Sequence, residues 1–267
     1  MVEKKAEYDI IDIHAHIFPD KIAEKAVDSI GKYYGVAMRR SGTVNGLLES
    51  GSNIGVKKYI VHSSATTVEQ VKAINDYVSG EMQAHPEFFG FATLHPDLPD
   101  IPAEVERIIG LGLKGLKLHP EFQHFTVDDD SMMPVYEAVE GRLPVLIHMG
   151  DQNVDSSSPV RLARVLDRFP KLVVIAAHFG GYRMWDLSWE YLIGRNVYMD
   201  TSSTLYFITP ERAVGMIRRH GVEKMLFGSD FPMWDHREEL DRFLALDLTK
   251  EERRAILSGN AHKLLSI

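Results

Sequence analysis

The chain has 267 residues, of which 45% are hydrophobic and 25% charged, a balance that excludes disordered and fibrous proteins and permits one sizeable core. Its 30 basic and 38 acidic residues give a net charge of -8, which argues against nucleic acids and anionic membranes as partners. The sequence contains no cysteine. Disulfides and thiolate metal sites are therefore excluded, and histidine and carboxylate remain as the strong metal ligands.

The N-terminal segment MVEKKAEYD is charged and has no apolar stretch of the kind found in signal peptides. No apolar run elsewhere approaches the ~20 residues that a membrane-spanning helix needs. We therefore expect a cytoplasmic protein whose partner is a small-molecule substrate.

Eight short apolar runs alternate with longer amphipathic segments, which is typical of a parallel sheet with helical connections. Eight such repeats predict a (β/α)8 TIM barrel, formed by a single domain over residues 1–267. An open doubly wound sheet is the competing architecture, but no glycine-rich phosphate loop follows the first run. The runs are YDIIDIHAH from residue 8, VKKYIVHSS from 56, FFGFATLHP from 88, LKGLKLHP from 113, PVLIHMG from 144, KLVVIAAHFGG from 171, NVYMDTSS from 196 and VEKMLFGSDFP from 222.

The connecting segments predict the outer helices. The longest one, from Asp20 to Gly55, predicts more than one helix. Further along, TVEQVKAINDYVSGEMQAH, SPVRLARVLDRF and TPERAVGMIRRHG are amphipathic, and several of these segments begin at a capping side chain or end at glycine. The segment KEERRAILSGNAHKLL predicts a last helix on the outside of the barrel.

Histidines concentrate where the predicted strands end. A lone histidine in an apolar strand is more often a core residue than a ligand, but seven of the 12 histidines lie at or just beyond carboxyl ends of strands, which form the active-site face of a TIM barrel. His14 and His16 share one face of the first strand because side chains alternate with a period of two. Asp230 ends the eighth run, next to the first strand of a barrel. The seven histidines are His14, His16, His62, His95, His119, His148 and His178.

We predict a metal centre made by His14, His16, His148 and Asp230. Three imidazoles and a carboxylate suit Zn²⁺, with Mn²⁺ as the alternative, and leave a position open for an activated water. Asp230 is the candidate acceptor for the proton of that water. His178 is a candidate acid or base, or a ligand of a second metal, and we favour the first role.

Lys117 and His119 share a face of the fourth run. They are candidates for a second metal or for substrate binding, although Lys117 could equally form an ion pair with Glu121 or Asp200.

The motifs IIDIHAHIFP, GLKLHP, VLIHMG, VIAAHFGG, MLFGSDFP and GNAHKLL together resemble the amidohydrolase superfamily. The resemblance is closest to its amidohydrolase-2 branch, which includes aminocarboxymuconate-semialdehyde decarboxylase. It implies that His14, His16, His148 and Asp230 are ligands of one metal and that His178 is catalytic. Binuclear superfamily members use a carboxylated lysine, for which Lys117 is the candidate here. Relatives are often dimers, so the resemblance also leaves a homodimer open.

Two reactions fit the predicted site. The preferred one is hydrolysis, in which a metal-activated water attacks an ester, lactone or amide of a small, carboxylated substrate. The alternative is non-oxidative decarboxylation of a small aromatic or unsaturated acid. Related decarboxylases tend to be longer, which favours hydrolysis for this compact chain. A third hypothesis is an inactive barrel that serves only as a binding module.

Arginine and aromatic residues in the loops are the candidates for substrate binding. Arg183 follows the sixth run and is preferred over Arg39 and Arg40 as the cation for a substrate carboxylate. Tyr206 and Trp234, in later loops, suggest a partly apolar substrate, although each could equally be packing at the barrel rim.

Overall fold

A computed structural model describes residues 8–267. Most of the charged N-terminal segment used in the argument against a signal peptide lies outside the described residues. Two compact units make up the rest of the chain, residues 8–60 with 201–267 and residues 61–200. The single domain over residues 1–267 therefore stays a prediction. None of the described helices has the length and apolar character required to cross a membrane.

Eight strands form one sheet in the order of the sequence, and they alternate with helices. This confirms the predicted (β/α)8 TIM-barrel fold, and each of the eight apolar runs contains one strand. The strands are β1 Ile10–His16, β2 Val56–His62, β3 Phe88–Ala92, β4 Gly115–Leu118, β5 Val145–Ile147, β6 Val174–Ala176, β7 Tyr198–Asp200 and β8 Met225–Leu226.

The helices occupy the predicted connecting segments, with two helices between β1 and β2. Short 3-10 turns at Asp130–Met132 and Val222–Lys224 add to them. The helices are α1 Asp20–Tyr34, α2 Val44–Ser52, α3 Gln70–Ala84, α4 Ile101–Gly110, α5 Pro120–Gln123, α6 Met133–Val139, α7 Pro159–Arg168, α8 Trp185–Tyr191, α9 Pro210–His220, α10 His236–Leu244, α11 Lys250–Arg254 and α12 Asn260–Leu265.

The last predicted helix differs from the structure, because a wide π-helical turn at Ala255–Gly259 separates α11 from α12. The carbonyl of Ile256 accepts a hydrogen bond from the backbone N–H of Phe227 at 3.0 Å, and so bonds outside the helix. Such a bond competes with the regular helical ladder, and π-turns accommodate it. Asn260 then fixes the turn by donating to the carbonyls of Val222 and Met225.

In the first unit, β1 lies beside the segment that follows β8. The N–H of Ile13 donates to Phe227 O at 2.9 Å, and the N–H of His16 donates to Phe231 O at 2.8 Å. Between them, the N–H of Asp230 donates to His14 O at 2.9 Å. This register brings Asp230 next to the histidines of β1.

In the second unit, β3 to β7 are parallel, and β4, β5 and β6 are buried along their whole length. Leu118 pairs with Ile147, and Ile147 pairs with Ala176. The register therefore ends these three neighbouring strands at one level. His119 and His148 follow their strands directly, and His178 comes two residues after β6.

Candidate metal centre

Three predicted ligands of the first unit converge. The Nε2 atoms of His14 and His16 lie 3.3 Å apart. Asp230 Oδ1 lies 3.3 Å from His14 Nε2 and 3.5 Å from His16 Nε2. Donor atoms that share one divalent ion at ~2.1 Å are about 3.0 to 3.4 Å apart. The two imidazoles and the carboxylate therefore fit a divalent metal.

The backbone of Asp230 has a conformation that aims its carboxylate. Its φ is 57°, in the left-handed region, which aspartate tolerates better than most residues. Because its N–H is bonded to the carbonyl of His14, the side chain turns toward the imidazoles of β1. Only 8% of Asp230 is exposed, so water screens this contact little.

A second carboxylate, Asp12, lies beneath the cluster and is fully buried. Its Oδ1 accepts from the N–H groups of His14 and Ser229, at 3.0 and 2.9 Å. Its Oδ2 accepts from Ser229 Oγ at 2.6 Å and lies 2.9 Å from His236 Nε2. Asp12 thus ties the strand that carries the histidines to the segment that carries Asp230.

Two consecutive serines after β7 contact the same ligands. Ser202 Oγ lies 3.1 Å from His14 Nδ1. Ser203 donates a short hydrogen bond to Asp230 Oδ2, and Trp234 Nε1 donates to Ser203 Oγ at 2.9 Å. Ser202, Ser203 and Trp234 are all buried.

In the second unit, His148 and His178 form a close pair. His148 Nε2 lies 3.1 Å from the carbonyl oxygen of Gly150, and its Nδ1 lies 3.0 Å from His178 Nε2. A carbonyl only accepts, so Nε2 of His148 carries the hydrogen and Nδ1 is the nitrogen with a lone pair. As long as the hydrogen bond to Gly150 is kept, His148 would therefore bind a metal through Nδ1.

The loop that holds His148 depends on one glycine. Gly150 has φ 82°, and a Cβ there would lie 2.5 Å from the backbone N and O of Tyr182. Only glycine allows this approach. Burial is the main cause that lowers the pKa of His148 well below its usual value, with His119, His178 and Lys117 adding to it. His148 is therefore neutral at pH 7, as a metal ligand must be.

His178 has a constrained backbone. Its φ is 61°, its N–H donates to Asp200 Oδ1 at 2.9 Å, and its carbonyl accepts from Trp185 Nε1 at 3.1 Å. A left-handed histidine is uncommon, and such positions concentrate at functional sites. The structure thus orients His178 toward His148 within this unit.

His119 lies flat between two rings. Its centroid is 4.1 Å from that of His148, with planes 9° apart, and 4.0 Å from that of Phe122. Ring lone pairs lie in the ring plane, so His119 and His148 direct theirs along parallel planes. The ring of His119 or of His148 would have to rotate before the two could bind the same ion. A carboxylate, Glu121, also lies close to these two histidines.

Glu121 is a buried acid beside His119. Its Oε2 lies 3.4 Å from His119 Nδ1, and its Oε1 accepts from Ser157 Oγ. Burial raises the pKa of Glu121 to about 7, although the hydrogen bond from Ser157 and the charge of Lys117 oppose the rise. Lys117 itself is fully buried.

The candidate substrate residues have separate surroundings. Arg183 is exposed, with its guanidinium 5.5 Å from the centroid of the Tyr182 ring. Tyr206 is 57% exposed and packs on Trp234, at 4.9 Å between centroids. Trp234 is buried, and its indole N–H donates a hydrogen bond to Ser203 Oγ. Arg40 is engaged by Asp235 through a hydrogen bond from Nε at 2.7 Å.

The sequence interpretation missed four supporting residues of the first unit. Asp12 was recognisable, because it shares a strand face with His14 and His16 by the period of two. The serines Ser202 and Ser203 and the distant His236 had no comparable signal.

A protein-family comparison matches residues 11–267 to the model Amidohydro_2, described as amidohydrolase. The match covers nearly the whole chain.

Solved structures with a similar fold include several decarboxylases. The 5-carboxyvanillate decarboxylase of Sphingomonas paucimobilis has 19% sequence identity and a TM-score of 0.74, over 98% of this chain and 100% of that one. The enzyme of that name from Novosphingobium aromaticivorans, complexed with manganese and 4-hydroxy-3-methoxy-5-nitrobenzoic acid, has 17% identity and a TM-score of 0.76, over 98% and 97%. The 2,6-dihydroxybenzoate decarboxylase of Rhizobium has 20% identity and a TM-score of 0.73, over 97% and 99%.

Proposed function

The chain belongs to the amidohydrolase family, and on that premise we propose that it is a metal-dependent decarboxylase of a small aromatic carboxylic acid. One observation carries the choice of reaction, namely the similarity in fold to decarboxylases over 97% or more of both chains. The compactness of the chain had favoured hydrolysis. Because the match spans nearly all of each decarboxylase, that argument loses its force, and decarboxylation becomes the better supported reaction.

We assign the metal to His14, His16 and Asp230, whose donor atoms lie 3.3 to 3.5 Å apart. The participation of His148 as a fourth ligand stays a prediction, supported by the neutral ring and the lone pair on Nδ1. Imidazole and carboxylate accept both Zn²⁺ and Mn²⁺. The manganese in the Novosphingobium enzyme favours Mn²⁺.

Bound there, a divalent cation would supply positive charge for the carboxylate and an adjacent hydroxyl of the substrate. Decarboxylation breaks the bond between the carboxyl carbon and the ring carbon, releases CO₂ and leaves the electron pair on the ring carbon. A proton must then reach that carbon. We assign its delivery to His178, with Asp230 as the alternative.

The hydrogen bonds of His178 support this assignment. With a hydrogen on His148 Nε2, the hydrogen between the two rings is on His178 Nε2. His148 Nδ1 has one lone pair, so a metal bound there would replace this contact and release the hydrogen of His178 Nε2 for transfer. The backbone bond to Asp200 fixes the position of His178, as a proton donor requires. His178 thus carries a transferable proton on the nitrogen that faces its neighbour.

For substrate binding we propose Arg183 as the cation for a carboxylate and Tyr206 as an aromatic contact, because both are exposed. A second metal at Lys117 and His119, the homodimer and the cytoplasmic location stay predictions.

The test is a decarboxylation assay on metal-stripped protein reloaded with Mn²⁺ or Zn²⁺. The substrates are 2,6-dihydroxybenzoate and 5-carboxyvanillate, followed by a panel of related hydroxybenzoates, and CO₂ release is measured beside hydrolysis of esters, lactones and amides. We expect metal-dependent CO₂ release. Hydrolysis without CO₂ release would overturn the decarboxylase assignment and restore the first hypothesis.

The control variant is His85→Ala, since His85 follows α3, pairs with Glu81 and is not among the assigned site residues. It should keep full activity and metal content. A native protein that binds neither metal would instead support the inactive binding module.

A further inference from the structure

The two serines that follow β7 each contact one metal ligand of the first unit, and neither belongs to the predicted site. Ser202 meets His14, and Ser203 meets Asp230. Both serines are buried, at 0% and 1% exposure. We infer that Ser202 and Ser203 are positioning residues that set which atom of His14 and which oxygen of Asp230 binds the metal. The inference rests on the proposed metal centre.

The direction of the hydrogen bonds at Ser203 is fixed by its partners. An indole N–H only donates, so the bond of 2.9 Å from Trp234 Nε1 uses a lone pair of Ser203 Oγ. The one hydroxyl hydrogen of Ser203 is then directed to the carboxylate oxygen Oδ2, in preference to the thioether of Met233 at 3.3 Å. Hydrogen bonds in such a chain strengthen one another.

The chain of hydrogen bonds from Trp234 through Ser203 distinguishes the two oxygens of Asp230. Oδ2 accepts from Ser203, whereas Oδ1 lies 3.3 Å from His14 Nε2 and 3.5 Å from His16 Nε2. A carboxylate held through one oxygen presents the other one in a fixed direction. Asp230 therefore offers Oδ1 to the metal.

Ser202 does the same for His14. A ligand nitrogen must carry a lone pair, so a metal at Nε2 requires the hydrogen to be on Nδ1. Ser202 Oγ, 3.1 Å from Nδ1, is then the acceptor that selects this tautomer. Gly228 lies close to the Cβ of His14, because a Cβ added at Gly228 would come within 3.0 Å of it. The segment after β8 therefore packs against the base of this side chain.

The backbone of Ser203 is the independent sign of a positioning role. Its φ is 49°, a left-handed conformation that serine rarely adopts. A regular backbone would direct the hydroxyl elsewhere. Strain of this kind persists where surrounding structure enforces it, and it concentrates at functional sites.

The strain allows a test that separates metal binding from folding. Ser203→Gly removes the hydroxyl but suits the left-handed backbone. We expect the Kd for Mn²⁺ of this variant to rise 10- to 100-fold, as is usual for partners of metal ligands. The metal-free variant should still unfold cooperatively, because relief of the strained backbone offsets part of the loss of the hydrogen bond from Trp234. Ser202→Ala should raise the Kd in the same range.

Trp234→Phe provides a second measurement, because it removes the N–H and keeps an aromatic ring. We expect a smaller rise in the Kd for Mn²⁺ in the natural background and none in Ser203→Gly, since the two residues act through one chain of hydrogen bonds. The matched control is Ser79→Ala, which removes a buried hydroxyl bonded to the carbonyl of Leu111. It should leave the Kd unchanged.

The two failures are distinguishable. If the unmodified protein binds neither Mn²⁺ nor Zn²⁺, both the proposed function and this inference are wrong. If it binds Mn²⁺ and Ser203→Gly and Ser202→Ala bind it equally well, only the inference is wrong. If the effects of Ser203→Gly and Trp234→Phe on the Kd for Mn²⁺ are additive, Trp234 does not act on Asp230 through Ser203.

Discussion

The histidines of the two units lie at strand ends, yet their surroundings differ. In the first unit, polar side chains contact the candidate ligand His14. Ser202 Oγ lies 3.1 Å from its Nδ1, and Asp12 Oδ1 accepts a hydrogen bond from its backbone N–H. In the second unit, the ring of His119 stacks on the face of His148, and the backbone carbonyl of Gly150 lies 3.1 Å from His148 Nε2. Histidines at similar positions in the fold therefore have different neighbours in the two units.

Burial in the second unit affects the protonation of two side chains, His148 and Glu121. The ring of His148 is neutral because burial lowers its pKa well below the usual value. The nearby Glu121 tends to keep its proton because burial raises its pKa to about 7. Burial in the second unit thus favours the uncharged forms of His148 and Glu121, whereas the first unit brings a carboxylate, Asp230, within 3.5 Å of two imidazoles. The first arrangement suits a cation, and the second suits proton transfer.

The largest effect should come from removing a ligand of the first unit. His16→Ala deletes one of the three converging donors, and His16 is the more exposed of the two β1 histidines. The variant should fold, lose Mn²⁺ and lose CO₂ release by at least ~1,000-fold, because a metal contributes several kcal/mol of charge stabilisation and about 4 kcal/mol corresponds to this factor. Metal analysis and the CO₂ assay check it.

His95→Ala is the matched control, since His95 also lies near the carboxyl end of a strand but pairs with Asp97. Full metal content in His16→Ala would show that the cluster of the first unit is not the metal centre, and the contrast between the units would fail.

The next effect concerns His178, in the second unit. His178→Asn keeps a residue that tolerates φ 61° and removes the transferable proton. We expect kcat for CO₂ release to fall by roughly 100- to 10,000-fold, the usual contribution of a general acid, with the Kd for Mn²⁺ unchanged. Single-turnover kinetics and Mn²⁺ titration measure the two quantities.

A loss of Mn²⁺ binding in His178→Asn would contradict this division of roles. It would make His178 a ligand, and the second unit would then share the task of the first.

The fold and the convergence of the three candidate ligands His14, His16 and Asp230 could be predicted, because both depend on the periodicity and order of the strands. Eight apolar runs at regular intervals indicate a barrel, and the period of two places His14 and His16 on one face. The observed Nε2 separation of 3.3 Å agrees with that pattern. The strand order then explains how Asp230, far away in sequence, reaches β1.

Other features depend on side-chain rotamers and on local strain, which no periodicity encodes. The left-handed backbone of Ser203 and its bond to Asp230 are visible only in three dimensions. The same holds for the stacking of His119 on His148. The extent of β8 is another such feature: within the run from Val222 only Met225–Leu226 is a strand, and the irregular backbone after it bonds to β1.

The smallest effect tests whether burial keeps Glu121 of the second unit uncharged. Burial raises the pKa of Glu121 to about 7, above the value of 4.5 in an unfolded chain. Protonation therefore stabilises the fold fully below pH ~4.5, and this contribution is lost as the pH rises through about 7. Glu121→Gln does not titrate and keeps an oxygen to accept from Ser157. Relative to this variant, the natural protein should lose roughly 3 kcal/mol of stability between pH 4.5 and 7.

Urea unfolding of the metal-free protein at several pH values measures this difference. Glu104→Gln, in the same unit, is a control of opposite sign: burial opposes ionisation there too, but hydrogen bonds from Arg107 and Asn75 outweigh it and lower the pKa of Glu104. Its carboxylate stabilises the fold above the ordinary pKa and loses that effect as the pH falls. Parallel curves for the natural protein and Glu121→Gln would mean that Glu121 is ionised in the fold. The second unit would then hold a buried charge beside His119, and its contrast with the first would reduce to ring stacking alone.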